Sequence, residues 1–374
     1  ILNNGIITMI FGTRDNMNPK YKTKKMTALD AQRAAHEIAF APVVFQVSRL
    51  MLEYGIFAML EEAGRKDPAG MTVEEVATAS GISVYGVKVL LESSLTAGTV
   101  FYDNGRFTIS KIGWFLLNDD MVRADINFNH DVNYKGLFHL DEAIRTGKPA
   151  GLKEIGDWPT IYEGLSSFPP KIRESWFGFD HFYSDHSFED ALARVFATCP
   201  KSLLDVGGNT GRFALKCVEV NADVHVTVMD LPQQLAMLKQ NIAGKPGCDR
   251  IDTYPGNLLD PGTGIPGGFD VVWMSQFLDC FSEEQVISIL QRVSETLKPG
   301  ASVFIMETLW DRQKYDTASF DLAQTSVYFT AMANGNSKMF YSEDLFGMIR
   351  KSGLEVVEVI DGLGFGHSLI KCGK

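Results

Sequence analysis

A strand, a glycine-rich turn and two aspartates form the most informative pattern in the chain. The segment 203–211 reads LLDVGGNTG, an apolar strand followed by a turn that contains Gly207, Gly208 and Gly211. Because glycine has no Cβ, a ligand can lie against bare backbone at this end of the strand. The next apolar strand ends in Asp230, where a carboxylate is suited to accept hydrogen bonds from both ribose hydroxyls of an adenosine. The pattern predicts an adenosine-binding edge.

The spacing of the glycines narrows the choice of cofactor. The turn lacks the full G-x-G-x-x-G spacing of a dinucleotide site, and no P-loop lysine follows it. S-adenosylmethionine has no phosphate, and its cationic methionine end favours a nearby carboxylate, which Asp205 can provide directly or through water. We therefore predict S-adenosylmethionine as the cofactor. The alternative, that the glycines only join a strand to a helix, does not account for the two aspartates.

The second half of the chain alternates apolar strands with amphipathic helices. The predicted strands are 202–206, 224–229, 269–274, 302–306, 354–360 and 366–372. Helices such as Glu283 to Leu297 fill most of the gaps. This alternation predicts an α/β domain of Rossmann-like type, with a mostly parallel sheet and helices on both faces.

The first half has a different pattern. Thr72 can cap a short helix that Gly81 ends, and a second helix follows from Val84 to Leu95. Residues 99–109 then alternate around Asp103-Asn104-Gly105, which indicates a hairpin with a tight turn. Two helices and a hairpin predict a winged-helix unit.

A helical pattern precedes this unit from Thr27 to Ala63, with a break expected near Pro42. It holds more apolar residues than a small domain can bury alone, which predicts a homodimer formed through this region. The residues expected to form the contact are Phe40, Val44, Phe45, Val47, Leu50, Met51 and Leu52.

Four segments are therefore expected. Residues 1–26 form a disordered leader, 27–119 the winged-helix dimerisation domain, 120–200 a helical connector and substrate lid, and 201–374 the cofactor-binding domain. The connector breaks at 168–170 and is rich in aromatic residues. Its aromatic residues include Phe128, Tyr134, Phe138, Trp158, Tyr162, Trp176, Phe177, Phe179, Phe182 and Tyr183.

Composition argues against several classes of partner. A net charge of −11 disfavours binding of nucleic acid, and the predicted recognition helix carries one lysine, Lys88. The five cysteines are scattered without the spacing of a metal site, so we predict no metal and reduced thiols in the cytoplasm. The apolar runs are too short to span a bilayer, so no membrane contact is expected.

With these motifs, the chain resembles the plant caffeate- and flavonoid-type O-methyltransferases and their bacterial small-molecule relatives, from about Thr27 to the C-terminus. Residues 227–232, TVMDLP, match the ribose-binding strand end and the Leu-Pro after it, while Asn209 replaces a glycine of the family. The resemblance implies a class I methyltransferase domain behind a dimerisation domain, and it adds Leu231 to the cofactor residues. Residues 256–259, GNLL, stand where the family has Gly-Asp-Met-Phe.

In that family motif the Asp and Met hold adenine, so the resemblance implies these roles for Asn257 and Leu258. The family's general base lies in His-Asp-Trp-Ser-Asp-Glu, and here residues 279–284 read DCFSEE. The histidine is therefore replaced by Asp279. The family's lysine four residues earlier falls at Ser275, which we place among the cofactor residues.

The family also orients its histidine with two acidic residues. One has a counterpart in Glu307, whereas the other falls near 338–339, where neither residue is acidic. Aspartate is a weaker base than histidine, with a reference pKa of about 3.9 against about 6.5. Burial beside Glu307 would raise the pKa of Asp279.

Three interpretations of the replaced histidine remain open. Asp279 is a retuned base for a more acidic or a nitrogen acceptor, or His181 or His186 takes over, or the chain binds the cofactor without the family's chemistry. A structural role for Asp279 as the N-cap of the helix after it is an equal alternative. Glu307 is in turn either a catalytic partner or a strand-end carboxylate without a catalytic role.

Aromatic and apolar side chains are candidates for the substrate pocket. Those selected are Trp176, Phe179, Tyr183, Tyr328 and Met332. Helical spacing usually indicates core, although a flat substrate needs such a lining. We predict an S-adenosylmethionine-dependent methyltransferase that methylates a hydroxyl of a small aromatic or polyketide-like molecule. The alternatives are a family member with altered or lost methyl transfer and a winged-helix regulator of transcription.

Overall fold

A computed structural model of the protein describes residues 26–374, without the side chains of residues 181–185. The predicted leader 1–26 lies outside the described residues except for Met26. The chain divides into two units, one up to residue 130 and one comprising residues 131–374. The division falls inside the segment expected to be the connector.

The described residues of the N-terminal unit form six α-helices and one hairpin. The helices are α1 Ala28–Glu53, α2 Ile56–Lys66, α3 Val73–Ser80, α4 Val84–Thr96, α5 Lys111–Asn118 and α6 Asp120–Phe128. Antiparallel strands β1 Val100–Asp103 and β2 Arg106–Ile109 form the hairpin between α4 and α5. Helix–turn–helix and hairpin together confirm the predicted winged helix.

Local sequence signals set these boundaries. Thr72 and Glu75 form a capping box at the start of α3, which satisfies amides that the first turn leaves unpaired. Gly81 ends that helix with a φ of 72°. In the hairpin turn, Asn104 and Gly105 have φ of 48° and 82°, the geometry for which Asn-Gly is favoured.

The break expected near Pro42 is wrong. Helix α1 continues through Pro42, and the chain bends only at Gly55, which has a φ of 69°. A proline removes one amide donor, and a long helix with many other hydrogen bonds can tolerate that loss. No single helix of the described part passes as a membrane span, although α1 and α2 do so as a pair bent by 63°.

The C-terminal unit contains nine helices and seven strands among its described residues. The helices are α7 Leu140–Thr146, α8 Ile161–Gly164, α9 Pro170–Asp185, α10 Phe188–Val195, α11 Arg212–Val220, α12 Pro232–Ile242, α13 Glu283–Thr296, α14 Asp316–Tyr328 and α15 Ser342–Lys351. The strands are β3 Ser202–Val206, β4 His225–Asp230, β5 Ile251–Pro255, β6 Val271–Ser275, β7 Ser302–Thr308, β8 Glu355–Leu363 and β9 His367–Gly373. The predicted break at 168–170 coincides with the start of α9, which begins at Pro170.

The seven strands form one sheet in the order β5-β4-β3-β6-β7-β9-β8. The first five strands in this order, β5, β4, β3, β6 and β7, are parallel to one another. Strand β9 pairs antiparallel with both β7 and β8. The sequence missed β5, a five-residue strand whose residues are mostly exposed, so that it lacks the apolar run of a central strand. Helices cover both faces, each over an apolar core. The strand order reverses between β3 and β6, and ligands of open α/β sheets bind at such a point.

Candidate functional site

The glycine turn joins β3 to α11 at the carboxyl edge of the sheet. Gly207 and Gly211 have φ of 77° and 79°, a conformation that favours glycine. A Cβ on Gly208 would lie 2.6 Å from Oδ2 of Asp205. Asn209 also has a positive φ, 47°, and asparagine tolerates this conformation better than most residues. The replacement of a family glycine by Asn209 therefore preserves the turn.

Main-chain amides hold the carboxylate of Asp230 at the end of β4. The N–H of Asn209 donates to Oδ2 at 2.9 Å, and the N–H of Leu231 donates to Oδ1 at 2.7 Å. Each oxygen accepts one such bond and retains a second lone pair for a ligand hydroxyl. Burial raises the pKa of Asp230 to about 6, against the lowering effect of the two amides.

Asp205 lies beneath the glycine turn with only 2 % of its surface exposed. Its Oδ2 has no hydrogen-bond partner among the described residues. Burial, and then the charge of Asp230, raise the pKa of Asp205 to about 8. A buried carboxyl without a partner is costly, and a cationic ligand would stabilise its ionised form. The residues at this edge fit S-adenosylmethionine, with Asp230 suited to the ribose and Asp205 to the cationic end.

The residues expected near adenine lie in the loop after β5. Asn257 is exposed, and its Oδ1 accepts a hydrogen bond from the N–H of Leu259 at 3.0 Å. Leu258 is buried in the core. The guanidinium of Arg292 donates to the carbonyl of Leu258 at 2.7 Å and holds the loop, a role that the sequence analysis missed. Ser275 ends β6 at the same edge as Asp230.

Asp279 lies in a short 3₁₀ turn, Leu278–Cys280, between β6 and α13, and only 4 % of it is exposed. The interpretation of Asp279 as an N-cap is wrong. Ser282 caps α13 instead, in a capping box with Gln285. Ser282 directly precedes the first helical residue, whereas Asp279 lies three residues before Ser282 in the sequence. Capping of α13 therefore does not explain why an aspartate occupies position 279.

Glu307, at the end of β7, is fully buried and supports the turn that carries Asp279. Its Oε1 accepts hydrogen bonds from the N–H of Phe277 at 3.1 Å and of Leu278 at 2.9 Å. Its Oε2 has no partner in the described part of the chain. Burial and the neighbouring Asp279 raise the pKa of Glu307 well above its usual range, and burial raises the pKa of Asp279 to about 6. Two adjacent buried carboxyls share a proton more readily than they both ionise.

Two tyrosines lie close to Asp279, and a tryptophan is hydrogen-bonded to one of them. Nε1 of Trp176 on α9 donates to the hydroxyl of Tyr328, the last residue of α14, at 2.8 Å. Asp279 and Cys280 are among the groups that raise the pKa of Tyr328, after burial. The same two residues raise the pKa of Tyr162 on α8, again after burial. In the sequence, Tyr162 is only one of several aromatic residues of the connector, and no spacing relates it to Asp279.

The remaining predicted pocket residues differ in their surroundings. Met332 is fully buried in a π-helical turn, Phe329–Ala333, and its sulfur occupies the space that a Cβ on Gly136 would need. Phe179 is half-buried on α9. The side chains of Tyr183 and of the alternative base His181 lie outside the described residues.

His186, the other alternative base, is exposed, and its ring contacts that of Phe365 at a centroid distance of 4.4 Å. The described residues contain no group of three or more His, Cys, Asp or Glu side chains that could hold a metal ion.

Comparisons with known proteins agree with this geometry. The model of the Dimerisation2-like domain matches residues 32–107, and that of the O-methyltransferase domain matches residues 184–353. The chain is 22% identical to L-tyrosine C(3)-methyltransferase of Streptomyces lavendulae, over 82% of this chain and 81% of that protein. It is 26% identical to 3-hydroxy-5-methyl-1-naphthoate 3-O-methyltransferase of Streptomyces sahachiroi, over 70% of this chain and 73% of that protein.

Among solved structures, the S-adenosylmethionine-dependent methyltransferase SibL in its apo form has a TM-score of 0.68 at 24% identity, covering 91% of this chain and 98% of SibL. The two family models match the two units in chain order, and the cofactor edge has the features that the fold requires. Residues 32–107 and 184–353 therefore match a Dimerisation2-like domain and an O-methyltransferase domain in that order, and the fold is that of the S-adenosylmethionine-dependent methyltransferases.

Proposed function

We propose that this enzyme methylates a hydroxyl of a small aromatic or polyketide-like acceptor and that Asp279 takes the proton of that hydroxyl. The observation that carries the proposal is the buried pair of Asp279 and Glu307, with the phenols of Tyr162 and Tyr328 close to Asp279. The naphthoate O-methyltransferase relative acts on an acceptor of this class, as its name states. A flat aromatic molecule suits a site that is lined by Trp176 and Tyr328.

S-adenosylmethionine, when bound, supplies a methyl group that its sulfonium already activates. The protein must then align the acceptor and hold its proton. Near neutral pH, Glu307 keeps the shared proton and Asp279 is mostly ionised, because its pKa is about 6. Glu307 fixes the turn through the amides of Phe277 and Leu278. A carboxylate of this basicity suits a catechol or enol better than a simple alcohol.

A screen of acceptors tests the proposal. The enzyme is incubated with methyl-labelled S-adenosylmethionine and a panel of catechols, hydroxynaphthalenes and enols, and S-adenosylhomocysteine is measured. The position of the methyl group is read by NMR, because one relative is named as a C-methyltransferase. O-methylated products support the proposal. A methyl group found only on carbon would contradict it, and no transfer to any acceptor would favour altered or lost methyl transfer.

The proposal includes a homodimer formed through the N-terminal unit. Several large apolar residues of α1 are exposed, namely Leu29, Ile38, Phe40 and Val43. Met51, which was expected in the contact, lies instead in the core of its own unit, and Val47, Leu50 and Leu52 pack against that core. Five free thiols support a cytoplasmic location. Light scattering should give twice the chain mass at micromolar concentration, and a monomer would contradict the dimer.

Binding of DNA is disfavoured by the surface of α4. Its exposed large apolar residues, Val84, Tyr85, Val89 and Leu95, suit a protein contact better than phosphates. Lys88 is the one cation of the helix, and Glu92 offsets it. A gel shift with genomic fragments should show no binding, and a shift at physiological salt would favour the regulator instead.

A further inference from the structure

The hydroxyl of Tyr162 is buried, although part of the residue is exposed. It makes no hydrogen bond of good geometry to a described residue, and the thiol of Cys280, a weak hydrogen-bonding group, is the neighbour that acts on it as a hydrogen-bond partner. Its neighbours are the thiol of Cys280, the hydroxyl of Tyr328 and the carboxyl of Asp279, which all act on its pKa. A buried hydroxyl whose nearest partner is a thiol is poorly satisfied, so an oxygen of a bound ligand would be a better partner for it.

The short helix that carries Tyr162 is firmly packed. Ile161, directly before the tyrosine, and Leu165, directly after the helix, are both buried. A Cβ on Gly164 would lie 2.6 Å from the ring of Trp158, so the helix is in close contact with that indole. The neighbouring turn is also fixed, because the amide of Asn334 donates to the carbonyl of Cys280. The helix that carries Tyr162 and the turn that carries Asp279 are therefore each held in place by their own contacts.

We propose that Tyr162 donates a hydrogen bond to a second, uncharged oxygen of the acceptor, close to the hydroxyl that Asp279 deprotonates. This inference rests on the proposed function and narrows its substrate class. The acceptor carries two neighbouring oxygens, as a catechol or an ortho-hydroxy ketone does. Tyr162 is thus a residue that binds and orients the acceptor.

The charge of the surroundings explains why the second oxygen is uncharged. Among the described residues, the principal groups that act on the pKa values of Tyr162, Tyr328 and Asp279 are carboxyls, a thiol, phenols, an indole and a backbone amide. None is a lysine or arginine. An acceptor carboxylate would lie close to the acidic pair of Asp279 and Glu307, and like charges repel strongly in a buried site.

Binding experiments with Tyr162→Phe test the inference without turnover. Calorimetry in the presence of S-adenosylhomocysteine measures the affinity for catechol, phenol and salicylate. One additional hydrogen bond should make catechol bind about five- to tenfold more tightly than phenol. Salicylate should bind more weakly than catechol. In Tyr162→Phe the preference for catechol over phenol should disappear.

Tyr315→Phe is the matched control, because Tyr315 is 64 % exposed and lies at the start of α14. It should keep the preference for catechol, and both variants should melt within a few degrees of the wild type. The inference is overturned if the wild type does not prefer catechol, if Tyr162→Phe retains the preference, or if catechol does not bind at millimolar concentration. Failure of the proposed function is separate, because catechol would then bind without being methylated.

Discussion

The two sides of the site hold their carboxylates in different ways. On the cofactor side, the amides of Asn209 and Leu231 hold Asp230. On the acceptor side, Asp279 is surrounded by side chains, including those of Tyr162 and Tyr328, that come from distant parts of the chain. Main-chain donors persist when side chains change, so the cofactor edge can stay constant while the acceptor side varies between relatives.

Among substitutions on the two sides of the site, we expect the largest effect on turnover at Asp279. Asp279→Asn removes the base but keeps the size of the side chain, so turnover should fall by about 10²–10⁴-fold. Affinity for S-adenosylmethionine should barely change, because the cofactor edge does not depend on Asp279. Single-turnover kinetics and calorimetry measure the two quantities. A variant that methylates its acceptor as fast as the wild type would show that the base lies elsewhere or is not needed.

Asp279→His sharpens the same point. It restores the residue of the family but only one of its two acidic supports, Glu307, since residues 338–339 are Lys and Met. We expect partial activity on ordinary phenols, measured as kcat/KM across acceptors of different acidity. Activity equal to that of the wild type on every acceptor would contradict a specific match between Asp279 and acidic hydroxyls.

A smaller effect is expected from Asp230→Ala on the cofactor side. The loss of the ribose hydrogen bonds should weaken binding of S-adenosylmethionine by about 1–3 kcal/mol. The matched control is Asp223→Ala, because Asp223 is an exposed residue paired with Lys201 at 2.6 Å. Calorimetry should show unchanged affinity in the control. If Asp230→Ala binds the cofactor as tightly as the wild type, the ribose assignment is wrong.

The smallest effect is expected from Asn209→Gly. The residue contributes its main-chain amide to Asp230, and glycine keeps that amide and adopts the φ of 47° readily. Cofactor affinity should therefore change by less than about 1 kcal/mol. A large loss of affinity would mean that the asparagine side chain, and not the backbone, binds the cofactor.

The sequence predicted the parts of the site that depend on local order. The glycine turn and Asp230 follow consecutive strands, so parallel topology brings them together. Asp279 could not be separated from an N-cap by sequence, since Ser282 and Asp279 both precede α13 and both residue types cap helices. Tyr162 could not be identified, because its approach to Asp279 depends on how α8 packs in the folded unit. The weak strand β5 was missed because its side chains are mostly exposed.

The most direct test of the central claim is the pH dependence of single-turnover methyl transfer with saturating cofactor. The ionised form of Asp279 is the active one, so the rate should rise with pH and level off above its pKa of about 6. In Asp279→Asn the remaining slow rate should lose this dependence. The fall in the wild-type rate at low pH would then be caused by protonation of the pair of Asp279 and Glu307. A wild-type profile that is flat between pH 5 and 8, or the same limb in Asp279→Asn, would contradict the claim that Asp279 takes the proton of the acceptor.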